Sequence, residues 1–468
     1  MTKAGLRGLG ISAAAGLTWC APLAADDARF RAIFEELVEI NTTLSVGDCT
    51  VAAEAMAARL RSVGIPDGDI AVIVPPDWPR QGNLVARLPG TDPNATAILL
   101  LAHIDVVEAN AADWERDPFT LVEEEGVFYG RGSADDKAMA AIFVDALMRF
   151  KESGYRPARP IKIALTCGEE TPYDFNGVQY LLEHHRQLID AAFAINEGGL
   201  GELDAEGRRI YHGVLAGEKI YQDFRLEIRN PGGHSSRPVP DNAIYRVAAA
   251  LGRIAAFQFP VEPNATVRAF FERMAEIETG QVAADMRAIL RSPPDPAALA
   301  RIVADANYNA ILRTTCVATQ LEGGHAPNAL PQRARANVNC RILPGHTQEE
   351  IRAALVRVVA DPGIEIAFKD PPERVGASPP LTREILAPVE KLSEQLWPGV
   401  PVVPMMQTGA TDARFLTPVG IPTYGISGIF WDPATRNAHG LNERVGVEAL
   451  YEGREFLELL IRAYAGGQ

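Results

Sequence analysis

The chain has 468 residues, 47% of them hydrophobic and 22% charged, a globular composition too long for one compact core and expected to divide into at least two domains. A formal charge of −15 argues against a nucleic-acid or anionic-membrane binder, which needs a basic face. Five cysteines in this length make no disulfide framework, and past the N-terminus no apolar run approaches the roughly 18 residues that suggest a membrane span.

Taken in chain order, residues 1–25 read as a secretory signal. Lys3 and Arg7 start it, residues 9–19 are uncharged and mainly small or apolar, and Leu23-Ala24-Ala25 offers a small-residue cleavage site. Cys20 follows Trp19, a poor match to the small residue that a lipidation signal needs. The expected product is periplasmic or secreted, with no membrane span once the signal is removed. Cys49, Cys167, Cys316 and Cys340 then face an oxidising compartment. Cys167 and Cys340 lie in apolar strand-like runs, so the expectation is buried thiols and no essential disulfide.

Phe30, Ile33, Phe34, Leu37 and Val38 share one face of a helix over 30–40, with Asp26 or Asp27 as its cap, and a second helix spans 51–60. Strands at 81–88, 97–102, 127–129, 161–166 and 191–196 alternate with helices at 135–151 and 176–188. That alternation predicts an α/β fold, a mainly parallel layered sheet with helices on both faces. The pattern changes near residue 216. Alternating strands at 221–229 and 334–342, with helices at 242–256 and 347–359, read as an inserted α+β domain over 216–375. Residues 262–312 within it are helical and carry no assigned role. The α/β pattern resumes with a helix at 382–396, a strand at 421–426 and a closing helix at 446–464. The catalytic domain is therefore split, 26–215 and 376–468.

Ligands of open α/β sheets bind outside the carboxyl ends of the strands. There the chain places His103-Ile104-Asp105, Cys167-Gly168-Glu169-Glu170 and Glu197, with Asp135-Asp136 opening a helix and His439 in a late loop. Singly, these are a helix cap, a solvated acid pair or a hydrogen-bonded histidine. Converged on one rim they repel one another unless paired. A cation removes the conflict, and borderline metals such as zinc take mixed imidazole and carboxylate ligands. Two histidines and three carboxylates, one bridging, make two metal sites able to clamp a hydrolytic transition state.

The runs LLLAHIDVV (99–107), GVFYGRGSADDKA (126–138), TCGEET (166–171), INEGG (195–199), RNPGGHSSRP (229–238) and NAHGLNERV (437–445) resemble the dizinc exopeptidases, in matching order. That metallopeptidase family includes carboxypeptidase S, carboxypeptidase G, aminoacylase and acetylornithine deacetylase. The spacer with Trp114 and Asp117-Pro118-Phe119 is closest to the carboxypeptidase S branch. The resemblance implies that His103 and Glu197 bind one zinc, Glu170 and His439 the other, and Asp135 bridges them. It implies that Glu169 is the general base and that Asp105 orients the His103 ring. It further implies a homodimer in which His234 of the inserted dimerisation domain reaches the partner's active site. Arg341, with Asn328 and Gly409, then binds the substrate carboxylate. Asp412 and Arg414 read equally well as a structural pair. Among the other histidines, 184 and 185 are expected on a solvent-facing helix, 212 and 346 in turns.

The implied reaction is hydrolysis of an amide bond next to a free carboxylate, in a small peptide or an N-acyl amino acid. Two divalent ions serve it, with cobalt or manganese as alternatives to zinc. A catalytically weak peptide-binding relative would show a damaged ligand set, whereas every expected ligand is present. A tethered assembly protein would use the N-terminal segment as an anchor.

Overall fold

The computed structural model describes residues 21–171, 175–432 and 437–468; Cys20 and most of the expected signal segment lie outside the described residues. The described chain is a mixed α/β fold around a large, mainly parallel sheet. Its order runs Ile70–Ile73, Asn83–Leu88, Ile161–Thr166, Ile98–His103, Phe193–Asn196, Thr423–Gly425, Arg209–Glu218, Gly201–Leu203 and Phe430–Trp431, with Val402–Gln407 also paired to Arg209–Glu218. At its centre Ile98–His103 is buried at every residue and runs parallel to both neighbours. Burial on both faces explains its unbroken apolar run, which alternation would have interrupted.

Two layers of helix cover one face. In Lys137–Glu152 the apolar residues recur at three- and four-residue intervals as on a one-sided helix, yet all residues from Lys137 to Met148 are buried. It lies between the sheet and the helices Ala21–Glu39 and Cys49–Ser62, so it has no solvent side. Its one buried acid, Asp145, accepts from Arg454 Nε at 2.7 Å and Arg29 Nε at 3.3 Å. Ala21–Glu39 starts earlier than its apolar face suggests, so Asp26 and Asp27 lie within the helix and Asp27 pairs with Arg454 at 2.8 Å instead of capping.

A second, four-stranded antiparallel sheet runs Thr315–Gly323, Arg333–Ile342, Ile220–Arg229 and Glu365–Phe368. Helices Ala243–Ala256 and Gln348–Val359 close its own apolar core. The helices Ala265–Ile277, Gly280–Ile289, Pro296–Ile302 and Ala306–Leu312 form a further cluster with Tyr211, Val403 and Met406 of the large sheet. They shield its Val402–Gln407 strand. That strand carries Pro404, and proline within an apolar run argues against a strand from sequence alone.

Two expectations are corrected. The thiols expected to be free are paired, Cys49 with Cys167 across 118 residues and Cys316 with Cys340 across adjacent strands. Sequence pattern reports that a cysteine is buried, not which distant segment packs beside it. His212, expected in a turn, lies in the strand Arg209–Glu218, wholly buried among Trp397, Phe430 and Phe456, with Ser393 Oγ at 2.7 Å from Nδ1.

Burial holds the His212 pKa down at about 3, so the folded ring stays neutral where an unfolded one takes a proton. Between the unfolded value near 6.5 and the folded value the unfolded state binds more protons, so stability rises with pH across that window and is flat above it. At about 1.4 kcal/mol per pH unit, this ring costs roughly 2 kcal/mol at pH ~5 relative to neutrality. Thermal melts at both pH values should show a smaller acid-side drop in His212→Gln than in the wild type. Equal drops would show that the ring does not contribute.

Candidate metal centre

Parallel strands align their carboxyl ends, and that edge carries the chemistry. His103 ends the central strand and pairs in register with Thr166, just before Cys167-Gly168-Glu169-Glu170. On its other side Phe193–Asn196 delivers Glu197. Asp135 arrives from a separate three-stranded sheet, Arg444–Gly446, Val127–Tyr129 and Val122–Glu124. There Arg444 pairs with Tyr129, which brings the 437–443 loop against the Gly130–Asp135 turn. His439 and Asp135 thus meet through a short antiparallel ladder, although some three hundred residues separate them.

The structure brings together all five expected ligands. His103 Nε2 lies 3.1 Å from Asp135 Oδ1 and 3.9 Å from Glu197 Oε1. His439 Nε2 lies 3.2 Å from Asp135 Oδ2 and 3.0 Å from Glu170 Oε1. Asp135 therefore shows one oxygen to each histidine, and the described residues fall into two groups, His103–Asp135–Glu197 and Asp135–Glu170–His439. Donor atoms on a tetrahedral zinc, at about 2.0–2.1 Å from the ion, lie roughly 3.3 Å apart, so this set fits a pair of ions sharing Asp135.

The charges fit as well. Burial pushes the Glu197 carboxyl well up, reinforced by Asp135, Glu169 and Asp136 and opposed by His103. Burial likewise raises Glu169, with Asp412, Glu170 and Asp105 adding to it against His103. Burial works against the Asp135 charge too, but hydrogen bonds from His103 and His439 pull that carboxyl far below the usual range. Bonding to Asp135 and Glu170 in turn lifts His439 to about 10. A site with this excess of acid binds its own protons when no cation is present, and divalent ions compete for the same groups.

Neighbouring acids orient the candidate ligands. Asp105 Oδ1 and Oδ2 accept from the backbone N–H groups of Glu169 and Glu170 at 3.2 and 3.0 Å. Its backbone oxygen lies 3.1 Å, and Oδ1 3.7 Å, from His103 Nδ1, so the ring is aligned mainly through the main chain. Glu443 lies in the run 437–445, where nothing local marks its role. It is fully buried, with Oε1 accepting from Ala134 N and Asp135 N at 2.8 and 3.0 Å. Its Oε2 accepts from Gly132 N at 3.0 Å and Arg131 Nη1 at 2.6 Å. Arg131 also stacks on Trp114, 4.9 Å from the ring centroid, which gives the Trp114 spacer a purpose. Asp412 does not pair with Arg414; it is buried and accepts from Asn176 Nδ2 at 2.6 Å and Thr166 Oγ1 at 3.2 Å, while Arg414 lies 3.7 Å from Glu373.

The remaining expected residues lie elsewhere. Arg341 stacks over Tyr221 at 4.6 Å and donates to the Thr408 carbonyl at 3.3 Å, beside the exposed Gly409. His234 and Asn328 are exposed together on the ribbon Gly233–His234 and Ala329–Leu330, where Asn328 O accepts from Ser235 N at 3.0 Å and Ser236 Oγ lies 2.8 Å from the His234 ring.

Residues 99–463 match the model of Peptidase family M20/M25/M40. The N-fatty-acyl-amino acid synthase/hydrolase PM20D1 of Homo sapiens is 29% identical over 80% of this chain and 75% of its own length. Aminoacylase-1 of Mus musculus is 24% identical over 92% of this chain and 94% of its own. Among solved structures, the M20 family metallo-carboxypeptidase Sso-CP2 of Sulfolobus solfataricus superposes with a TM-score of 0.68 at 17% identity, covering 93% of this chain and 99% of that one.

Glu443→Ala should strand three backbone donors and the buried Arg131, at a cost of about 3–5 kcal/mol, and loosen the turn that aims Asp135. A melt combined with metal titration checks this. The expected result is a lower melting temperature with weaker metal binding, both milder in Glu443→Gln.

Proposed function

The chain belongs to peptidase family M20/M25/M40 and is a metal-dependent peptidase or amidohydrolase; from that premise we propose that it hydrolyses the amide bond of a small peptide or N-acyl amino acid next to a free carboxylate. The observation that carries this reading is Asp135 facing a different histidine with each carboxylate oxygen. In the proposed assignment His103 and Glu197 would hold one zinc, Glu170 and His439 would hold the other, and Asp135 would be shared between them. When bound, such ions supply positive charge that polarises the scissile carbonyl and makes water nucleophilic near neutral pH.

The chain's own groups do the rest. Glu169 lies among the ligands with its carboxyl raised by burial, the condition under which a carboxylate works as a base near neutrality. It takes the proton from the attacking water and returns it to the leaving nitrogen, which then departs as a neutral amine. Asp105 holds the backbone of Glu169 and Glu170 in place during both transfers. Arg341, fixed by Tyr221 and the Thr408 carbonyl beside Gly409, is suited to a bidentate grip on the substrate carboxylate. The exposed ribbon suits a homodimer in which the partner subunit's His234 donates to the developing oxyanion, with Asn328 beside it.

Two disulfides support export to an oxidising compartment. No helix of the described residues is long and apolar enough to cross a membrane.

A hydrolysis screen of dipeptides and N-acyl amino acids, with and without chelator, tests the reading. Chelator-sensitive release of a free amino acid is expected, and its absence across the screen would sink the proposal. Glu169→Gln should keep its metal while turnover falls by about 100-fold or more. Substantial activity in that variant would remove Glu169 from the role of base.

A further inference from the structure

The geometry points to the Cys49–Cys167 disulfide as a positioning element for the acidic loop, a covalent brace that keeps Glu169 and Glu170 in register with the rest of the metal centre. The inference rests on the roles proposed above for those two glutamates.

Cys167 is the first residue after the strand Ile161–Thr166, two positions before Glu169 and three before Glu170. Between them stands Gly168 at φ +91°, a backbone conformation that glycine adopts without strain and from which it departs with equal ease. A loop with such a pivot needs an anchor directly before it, and the disulfide is there. Its other end, Cys49, is the first residue of the helix Cys49–Ser62, which packs on the strand Asn83–Leu88 and the helix Lys137–Glu152. Both half-cystines are buried, at 2% and 1% exposure. The bridge thus joins the strand end before the acidic loop to a helix packed in the core.

The hydrogen bonds around it act on the same loop. Cys167 N donates to Asn83 Oδ1 at 3.0 Å, and Gly177 N donates to the Cys167 carbonyl at 2.7 Å, so both fix Cys167 itself. Beyond the glycine, the loop backbone is held by Asn176 Nδ2 on the Gly168 carbonyl at 3.2 Å and by the Asp105 carboxylate. The segment leading into Cys49 meets the opposite wall of the site. Val106 N donates to the Thr42 carbonyl at 3.4 Å, and Ser45 N and Oγ donate to Glu108 at 2.9 and 2.8 Å. The segment that enters Cys49 thus holds the loop after His103, while the disulfide holds the acidic loop to the same helix end, so that on this proposal one anchor sets the spacing between the two loops.

The other disulfide supplies an internal control. Cys316 and Cys340 face each other across strands already paired along their length in the smaller sheet, and their bridge holds no part of the metal centre.

Three proteins should be compared well below their melting temperatures: wild type, Cys49→Ala/Cys167→Ala and Cys316→Ala/Cys340→Ala. The readouts are far-UV circular dichroism, metal content, the visible spectrum and affinity on titration with cobalt(II), and kcat and KM on a substrate found in the screen. The Cys49/Cys167 variant should stay folded, bind metal about tenfold or more weakly with an altered cobalt spectrum, and lose about tenfold or more in kcat with little change in KM. The Cys316/Cys340 variant should keep wild-type metal binding and kcat. Wild-type metal affinity and kcat in the Cys49/Cys167 variant would overturn the inference. Loss of its far-UV signal would also overturn it, by making the bridge a global staple, as would an equal defect in the control. A wild type that holds no metal, or hydrolyses nothing in a chelator-sensitive way, would instead refute the proposed function.

Discussion

Carboxylates do not share a buried rim without compensation, and the arrangement of this protein follows from how each one is compensated. Asp105 takes two backbone N–H groups, Glu443 takes three with an arginine, and Asp412 takes an asparagine amide and a threonine hydroxyl. Those acids have fixed partners and serve as scaffold. Asp135 and Glu170 face histidine nitrogens at hydrogen-bond distance, with Glu197 slightly farther off, at spacings that suit a shared cation. Burial follows the same division: Asp105, Asp412 and Glu443 are buried, whereas Asp135, Glu170 and Glu197 are only partly so.

The fold serves that division. Parallel strands set His103, the acidic loop and Glu197 along one edge, where main-chain donors at the strand ends are free to bind carboxylates. The small antiparallel ladder of Arg444–Gly446 on Val127–Tyr129 then closes the ring from outside the sheet. It presses Glu443 into the Gly130–Asp135 turn and carries His439 to Asp135. The disulfide at Cys167 does for the acidic loop what Glu443 does for that turn, with a covalent bond in place of four hydrogen bonds.

Much of this was legible in the chain. Buried strands such as Ile98–His103 and Ile161–Thr166 announce themselves as short apolar runs. All five expected ligands converge as their position at strand and helix ends suggested. Elements whose sequences carry mixed signals were not legible. Val402–Gln407 contains Pro404 and is tolerated because the helices of 265–312 pack over it. Arg209–Glu218 holds His212 and two glycines, which read as a turn until the aromatic cage around the ring is seen. The roles of Glu443 and Asp412 were hidden for a different reason: a scaffold acid is recognised by its donors, and these come from segments hundreds of residues away.

The sequence by itself determined the layered α/β class, the family resemblance and which residues are candidates for a metal centre. Those properties are written in local pattern and in motif spacing along the chain. Only the tertiary structure decided which acids meet fixed hydrogen-bond donors and which face the histidines, that the cysteines pair, and that His212 is kept neutral. Each of those depends on the partner a side chain meets across the fold, and local periodicity records that a residue is buried without recording against what.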